Sequence, residues 1–289
     1  MKVAVLGIGL MGFPMARRLC EAGHSVHVWN RSPEKAQRLT AYGATVHAEP
    51  SDAVCESDIV ITMLHDGLAV GQVLFDLGVA AAMSASSMVV DMSSIKPAEA
   101  RSHAARLAER RIAYLDAPVS GGTIGADNGT LAIMAGGSAS HFERALSLLK
   151  VFGRATLVGP NGAGQLAKLA NQMIVGATIG IVAEALLLCE RGGADMGKVK
   201  EAITGGFADS RILQVHGQRM VERDFAPRGS MSVQLKDMRN VLTTAGEVQF
   251  DAPITGLLET LYAQGIEHGL ADLDQSGLFV ELARRNGMV

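Results

Sequence analysis

Residues 3–19 read VAVLGIGLMGFPMARRL, and the parsing of this stretch decides the fold. VAVL is a short, β-branched apolar run of strand character, whereas FPMARRL has the pattern of a helix opening. Between them Gly7, Gly9 and Gly12 fall in the spacing GxGxxG. Glycine at the first position permits a tight turn, at the second it lets backbone approach a pyrophosphate, and at the third it lets helix and strand close up. The helix N-terminus then offers unpaired N–H groups and a partial positive charge to that anion. Alone, GxGxxG is a weak signal. A strand directly before it and a helix directly after it make this one specific for dinucleotide binding.

Moving outward, the next strand candidate, SVHVW (25–29), runs into Asn30, Arg31 and Ser32. A site that prefers NAD places Asp or Glu at this point to hold the ribose 2′-hydroxyl. A carboxylate would repel a 2′-phosphate, while Arg31 can form charge-assisted bonds to one and Ser32 can add a hydroxyl donor. These three residues are read as the ribose end of the site. NADP is the expected cofactor, with NAD as the alternative, and a solvated loop arginine is the competing account of Arg31.

Further strand candidates follow at DIVITM (58–63), SMVVDM (87–92), AYLDAP (113–118), TLAIMAG (130–136) and ATLVG (155–159), with helical patterns such as PAEARSHAARLAERR (97–111) between them. Near-continuous apolar strands alternating with helices predict an α/β fold built on a parallel sheet covered on both faces. After Pro160 the alternation stops. Residues 164–190 read as one helix of about 40 Å at 1.5 Å per residue. Helical segments near 195–204, 210–223, 230–246, 253–267 and 275–285 complete the chain. The expected organisation is an N-terminal Rossmann domain over 1–161 and an all-α C-terminal domain over 162–289.

Composition narrows the function classes. The 289-residue chain is 48% hydrophobic and 19% charged, with net charge −3 and 4% aromatic residues. This suits a globular protein and gives no basic or aromatic surface for nucleic acid or an anionic membrane. Cys20, Cys55 and Cys189 form no CxxC pair, and the histidines form no HxxxH or HExxH pair, so neither a disulfide framework nor a metal site is expected. The most apolar stretch, 173–183, is shorter than the roughly 20 residues that span a bilayer. The expectation is a cytoplasmic protein acting on a small molecule.

Two loops follow strand candidates where ligands bind in open parallel sheets: DMSSIKP (91–97) and DAPVSGGTIGA (116–126). Ser120, Gly121 and Gly122 can present a hydroxyl and close backbone N–H groups to a small carboxylate. An ordinary Ser-Gly turn accounts for them equally, and Ser94 also fits a helix cap. In GAGQLAKLANQMIV (162–175), Lys168, Asn171 and Gln172 fall at i, i+3 and i+4 and share one helical face. A lysine snorkelling from an amphipathic helix accounts for Lys168 by spacing alone. Lys236 and Asp237, within MSVQLKDM, read alone as an exposed pair, and the methionines around them as helix packing.

Taken together, GIGLMGFPMARRL, DMSSI, DAPVSGG, GxGxxxKxxN at 162–171 and QLKDM at 234–238 resemble the β-hydroxyacid dehydrogenases. These include 3-hydroxyisobutyrate dehydrogenase, tartronate semialdehyde (2-hydroxy-3-oxopropionate) reductase, and relatives that oxidise serine and threonate. The resemblance implies a Rossmann domain, a long interdomain helix, and an all-α domain that builds a homodimer or homotetramer. It implies Lys168 as the catalytic lysine, with Asn171 and Gln172 beside the substrate and Ser120, Gly121 and Gly122 on its carboxylate. Cofactor contacts are implied for Leu10, Met11, Met63, Leu64, Ser94 and Lys236 in addition to the glycines and Asn30–Ser32. The motif often continues KxxNN. Here KLANQ, with a GTL stretch after DAPVSGG, resembles the tartronate semialdehyde reductase branch. The alternatives are a 3-hydroxyisobutyrate, serine or threonate dehydrogenase and, from another class, a non-catalytic NADP-binding protein.

Overall fold

The VAVL run forms β1 (Lys2–Leu6), and Val3 to Leu6 are fully buried. Val3 and Val5 join a core with Met15, Ala16 and Leu19 from the helix Gly12–Glu21. Ala4 and Leu6 join a second core with Val70, Leu74, Ala100 and Leu107. Ile59 and Ile61 against Val60, and Met88 and Val90 against Val89, repeat the division. A strand buried on both faces has no polar side to show, so these runs are uninterruptedly apolar in sequence.

The computed structural model describes residues 1–288. Its sheet comprises β1, β2 (Ser25–Trp29), β3 (Thr45–Val46), β4 (Ile59–Thr62), β5 (Met88–Asp91), β6 (Ala113–Asp116), β7 (Val119–Ser120), β8 (Leu131–Gly136) and β9 (Gly153–Gly159). The order is β3-β2-β1-β4-β5-β6-β8-β7, with β9 on β8. Strands β1 to β6 pair in parallel. The parallel expectation fails at β8, which runs antiparallel to β6 and β7. Only residues 121–130 separate β7 from β8, and a parallel crossover needs a dozen or more. The strand order reverses at β1, between β2 and β4, so the ligand crevice of such a sheet lies over the carboxyl ends of β1 and β4.

By contact density the chain divides into Met1–Lys168 and Leu169–Val289, so the boundary falls inside the helix Ala163–Arg191. The second unit is helical, with Met196–Ile203, Met231–Glu247, Pro253–Glu267 and Leu278–Arg285 around Ile179, Leu186, Met231, Met238, Tyr262 and Phe279. Met231 and Met238 are fully buried, as their packing reading requires. The expected helix at 210–223 contains a π-helical turn, Leu213–Gly217. At 29 residues, Ala163–Arg191 exceeds the apolar stretch read from sequence and is long and apolar enough to cross a membrane by length and composition. Within its own unit Ile179, Val182, Ala183, Leu186 and Leu187 of this helix line the core.

Candidate functional site

The glycine loop has the geometry that its spacing predicts. Gly7 has φ +107°, and a Cβ there would lie 2.3 Å from the Met63 carbonyl oxygen. A Cβ on Gly12 would lie 1.9 Å from the Gly7 carbonyl oxygen. Gly9 differs, because a Cβ there would meet no protein atom within 4 Å. Two glycines are thus required by the chain's own packing, and the third keeps an open face. That open face, at the sheet's reversal point, fits a dinucleotide pyrophosphate.

Asn30 acts inside the loop. Its Oδ1 accepts from the Ile8 N–H at 2.8 Å and its Nδ2 donates to the Ser32 carbonyl at 2.9 Å. It therefore braces the glycine loop against the Asn30–Ser32 loop that follows β2, leaving Arg31 exposed and Ser32 half-buried. No carboxylate occupies positions 30–32. Leu10 is exposed and Met11 half-buried at the loop's far side, and Met63 and Leu64 close it from the end of β4. Leu64 N–H donates to Ser93 Oγ at 3.0 Å. Ser94 is half-buried and is not the cap of the next helix, Pro97–Ala108, whose N-cap is Lys96.

Sequence reading missed a buried carboxylate beneath these loops. Asp91, at the end of β5, is fully buried. Its Oδ1 accepts from Thr62 Oγ1 at 2.8 Å and Ser93 N–H at 3.0 Å, and its Oδ2 from Tyr114 Oη at 3.1 Å. It ties the ends of β4, β5 and β6 together. Burial pushes its carboxyl up to about 6. In the unfolded chain it titrates near the ordinary carboxylate value of about 4. Its contribution to stability is therefore complete below about pH 4 and is lost as pH rises through 6, a cost of about 3 kcal/mol above that point. Asp91→Asn keeps the shape and should flatten this slope. In urea unfolding at pH 4.5–7.5, the variant should gain on the wild type as pH rises; parallel profiles would refute the assignment.

Ser120 lies on β7, paired with Ala132, and Gly121 and Gly122 follow at φ +137° and +61°. Both angles favour glycine. A Cβ on Gly122 would meet nothing within 4 Å, so this turn also presents bare backbone to open space. Lys168 stands in the same unit, half-buried on the helix that starts at Ala163.

Asn171, Gln172 and Lys236 belong to the second unit. Asn171 Nδ2 donates to Gln172 Oε1 at 2.9 Å, and Gln172 Nε2 donates to Asp237 Oδ2 at 2.6 Å and to Gln234 Oε1 at 3.2 Å. Gln172 is only 8% exposed. Its longer amide thus links two helices and holds Asn171. Asp237 is buried rather than exposed, and Lys236 Nζ sits 3.3 Å from its carboxylate.

An open glycine loop at a sheet reversal, with no carboxylate in the loop that follows β2, defines a dinucleotide-binding unit, and its likeness to known proteins makes it that of an NAD(P)-dependent dehydrogenase. Residues 2–159 match the NAD-binding domain of 6-phosphogluconate dehydrogenase, and residues 162–282 match the family described as NAD-binding of NADP-dependent 3-hydroxyisobutyrate dehydrogenase. The chain is 43% identical to 2-hydroxy-3-oxopropionate reductase of Escherichia coli (strain K12), covering 96% of each chain. It superposes with TM-score 0.88 on a Mycobacterium tuberculosis 3-hydroxyisobutyrate dehydrogenase solved with L-serine, at 33% identity over 97% of this chain and 98% of that one. A structure described as Psf3 in complex with NADP+ and 2-OPP matches at TM-score 0.88 and 25% identity, covering 97% of this chain and 99% of the other. The chain belongs to the 3-hydroxyisobutyrate dehydrogenase family of β-hydroxyacid dehydrogenases.

Proposed function

We propose that this enzyme reduces tartronate semialdehyde (2-hydroxy-3-oxopropionate) to glycerate, with NADP preferred over NAD. One observation carries the chemistry: a single compact unit contains the open glycine loop, the bare-backbone turn at Ser120–Gly122 and Lys168. The substrate assignment is supported by the 43% identity, over 96% of each chain, to the Escherichia coli reductase. KLANQ at 168–172 and the GTL stretch after DAPVSGG agree with that branch.

In this reading the nicotinamide, when bound, supplies the hydride to the carbonyl carbon. Gly7, Gly9, Leu10, Met11 and Gly12 hold the pyrophosphate end, Asn30–Ser32 the ribose end, and Met63, Leu64, Ser94 and Lys236 the remainder. Ser120, Gly121 and Gly122 bind the substrate carboxylate. Lys168 Nζ donates a proton to the carbonyl oxygen as charge develops there, and removes it from the alcohol in the reverse direction. Asn171, one turn along, holds the substrate hydroxyl, and Gln172 sets the position of Asn171.

In this assignment residues 1–161 are the nucleotide domain and 162–289 the substrate and oligomerisation domain, the start of the helix Ala163–Arg191 up to Lys168 being compact with the first. A homodimer or homotetramer is supported by Ile174, Ile181 and Leu188, which are 68%, 61% and 74% exposed at sevenfold spacing along one helix. A cytoplasmic location is supported by three free cysteines.

The test is a spectrophotometric screen with NADPH and NADH against tartronate, methylmalonate and succinic semialdehydes and glyoxylate, and in reverse against 3-hydroxyisobutyrate, glycerate, serine and threonate. Tartronate semialdehyde should give the highest kcat/KM. A maximum on 3-hydroxyisobutyrate, serine or threonate would reassign the substrate. In the same assay Arg31→Asp should weaken NADPH at least about tenfold more than NADH, the value of a lost charge-assisted contact plus a new repulsion. Equal effects would remove Arg31 from the cofactor site.

A further inference from the structure

Asp116 closes β6 and is fully buried. Its Oδ1 accepts from the Gly162 N–H at 2.8 Å and its Oδ2 from the Gln165 N–H at 3.0 Å. These are among the donors that the start of the helix Ala163–Arg191 leaves without an intrahelical acceptor. Such donors are ordinarily satisfied by the side chain just before the helix. Here Asn161 turns away, donating to the Tyr114 and Gly136 carbonyls at 3.3 Å each, and the cap comes from a strand 46 residues earlier.

The seat for this carboxylate is closely built. A Cβ on Gly136 would lie 2.7 Å from Asp116 Oδ2, and one on Gly164 would lie 2.8 Å from the same atom. Gln165, fully buried, continues the attachment. Its Nε2 donates to the Ser93 carbonyl at 2.8 Å and its Oε1 accepts from the Ile95 N–H at 3.0 Å. The first helical turn is therefore fixed to two strand-end loops, one leading to Ser120–Gly122 and the other carrying Ser94. Lys168 follows Gln165 by three residues, one turn further on. Burial pushes the Asp116 carboxyl above its ordinary value, a cost that a serine or threonine cap would not incur. A rigid two-oxygen acceptor instead fixes both the axis and the rotation of the turn.

We propose that Asp116, with Gln165, is a positioning residue for proton transfer: it holds the helix start so that the Lys168 amine keeps one register against the carbonyl of a substrate whose carboxylate is bound at Ser120–Gly122. The inference rests on Lys168 being the proton donor.

Asp116→Asn removes one acceptor and places an NH2 against a backbone N–H. A misplacement of about 1 Å at the reacting centre costs about 100-fold in rate. The variant should therefore lose about 100-fold in kcat, with KM for the semialdehyde and Kd for NADPH within about threefold. Gln165→Met keeps helix and volume and should lose about tenfold; it carries the test if Asp116→Asn does not fold. Independently of turnover, lysines labelled by 13C reductive methylation give an NMR signal for Lys168, identified by its absence in Lys168→Ala. That signal should move in both variants. An unmoved Lys168 signal and unchanged kcat, whatever the thermal stability, would overturn the proposal. Wild-type turnover in Lys168→Ala would instead overturn the proton-donor reading, and the Lys168 signal would still decide whether Asp116 fixes the amine.

Discussion

Lys168→Ala should lower kcat for semialdehyde reduction by about 1,000-fold while leaving the NADPH dissociation constant within about twofold of wild type. General acid catalysis by one positioned side chain contributes 10²–10⁴-fold, and a 1,000-fold loss corresponds to about 4 kcal/mol of transition-state stabilisation. NADPH binding should survive because the glycine loop and the ribose loop are formed by residues 7–12 and 30–32, tied together through Asn30 without the lysine. The split between kcat and KM is the diagnostic. A rise in KM alone would make Lys168 a substrate anchor that acts equally on ground and transition states. A fall in kcat with partial recovery on adding methylammonium would identify the missing proton donor directly. Unchanged kcat and KM would leave a protein that binds NADPH without using this lysine. The non-catalytic reading instead predicts no turnover of any substrate in the screen, by wild type or variant.

Most of the nucleotide unit was legible in the sequence because its strands are buried on both faces. β1 and β2 begin and end where their β-branched runs do, at Lys2–Leu6 and Ser25–Trp29. β3 and β7 were not legible: each is two residues long, too short for any hydrophobic period to register. The reversed direction of β8 was hidden because TLAIMAG has the composition of a parallel core strand. Only the short connection 121–130 held the clue.

The candidate site divides in the same way. Its glycines and Lys168 sit in local patterns with a chemical reason for their spacing. Asp91 and Asp116 were overlooked because their partners are tertiary: Thr62 and Tyr114 for the first, Gly162 and Gln165 for the second. A local signal did exist, since each is an aspartate closing an apolar strand just before a loop already singled out. Gln172 follows Lys168 by four residues on the helix Ala163–Arg191, and its hydrogen bonds to Asp237 and Gln234 depend on a helix more than 60 residues away.

The glycine loop permits a sharper separation of folding from function than the lysine does, because its glycines are required for different reasons. In Gly12→Ala the new Cβ would stand 1.9 Å from the Gly7 carbonyl oxygen, a backbone atom with no side-chain freedom to yield. The helix Gly12–Glu21 must then move off β1, exposing the core contacts of Met15, Ala16 and Leu19. Overpacking of a tight site costs 1–3 kcal/mol and more where backbone must shift, so a loss of about 3 kcal/mol is expected, with NADPH binding lost alongside. Gly9→Ala should behave oppositely. Its Cβ meets nothing within 4 Å and the backbone there is not left-handed, so the apo protein gains about 0.5 kcal/mol from reduced unfolded-state entropy. The same methyl stands where the pyrophosphate must approach, and NADPH affinity should fall at least about 100-fold, or 2.7 kcal/mol. Thermal unfolding without cofactor, set against calorimetric titration with NADPH, separates the two. If Gly9→Ala bound NADPH as wild type does, the open face of the loop would not be the seat of the pyrophosphate. The cofactor would then have to lie elsewhere along the carboxyl ends of β1 and β4, and the contacts proposed for Arg31 and Ser94 would fall with it.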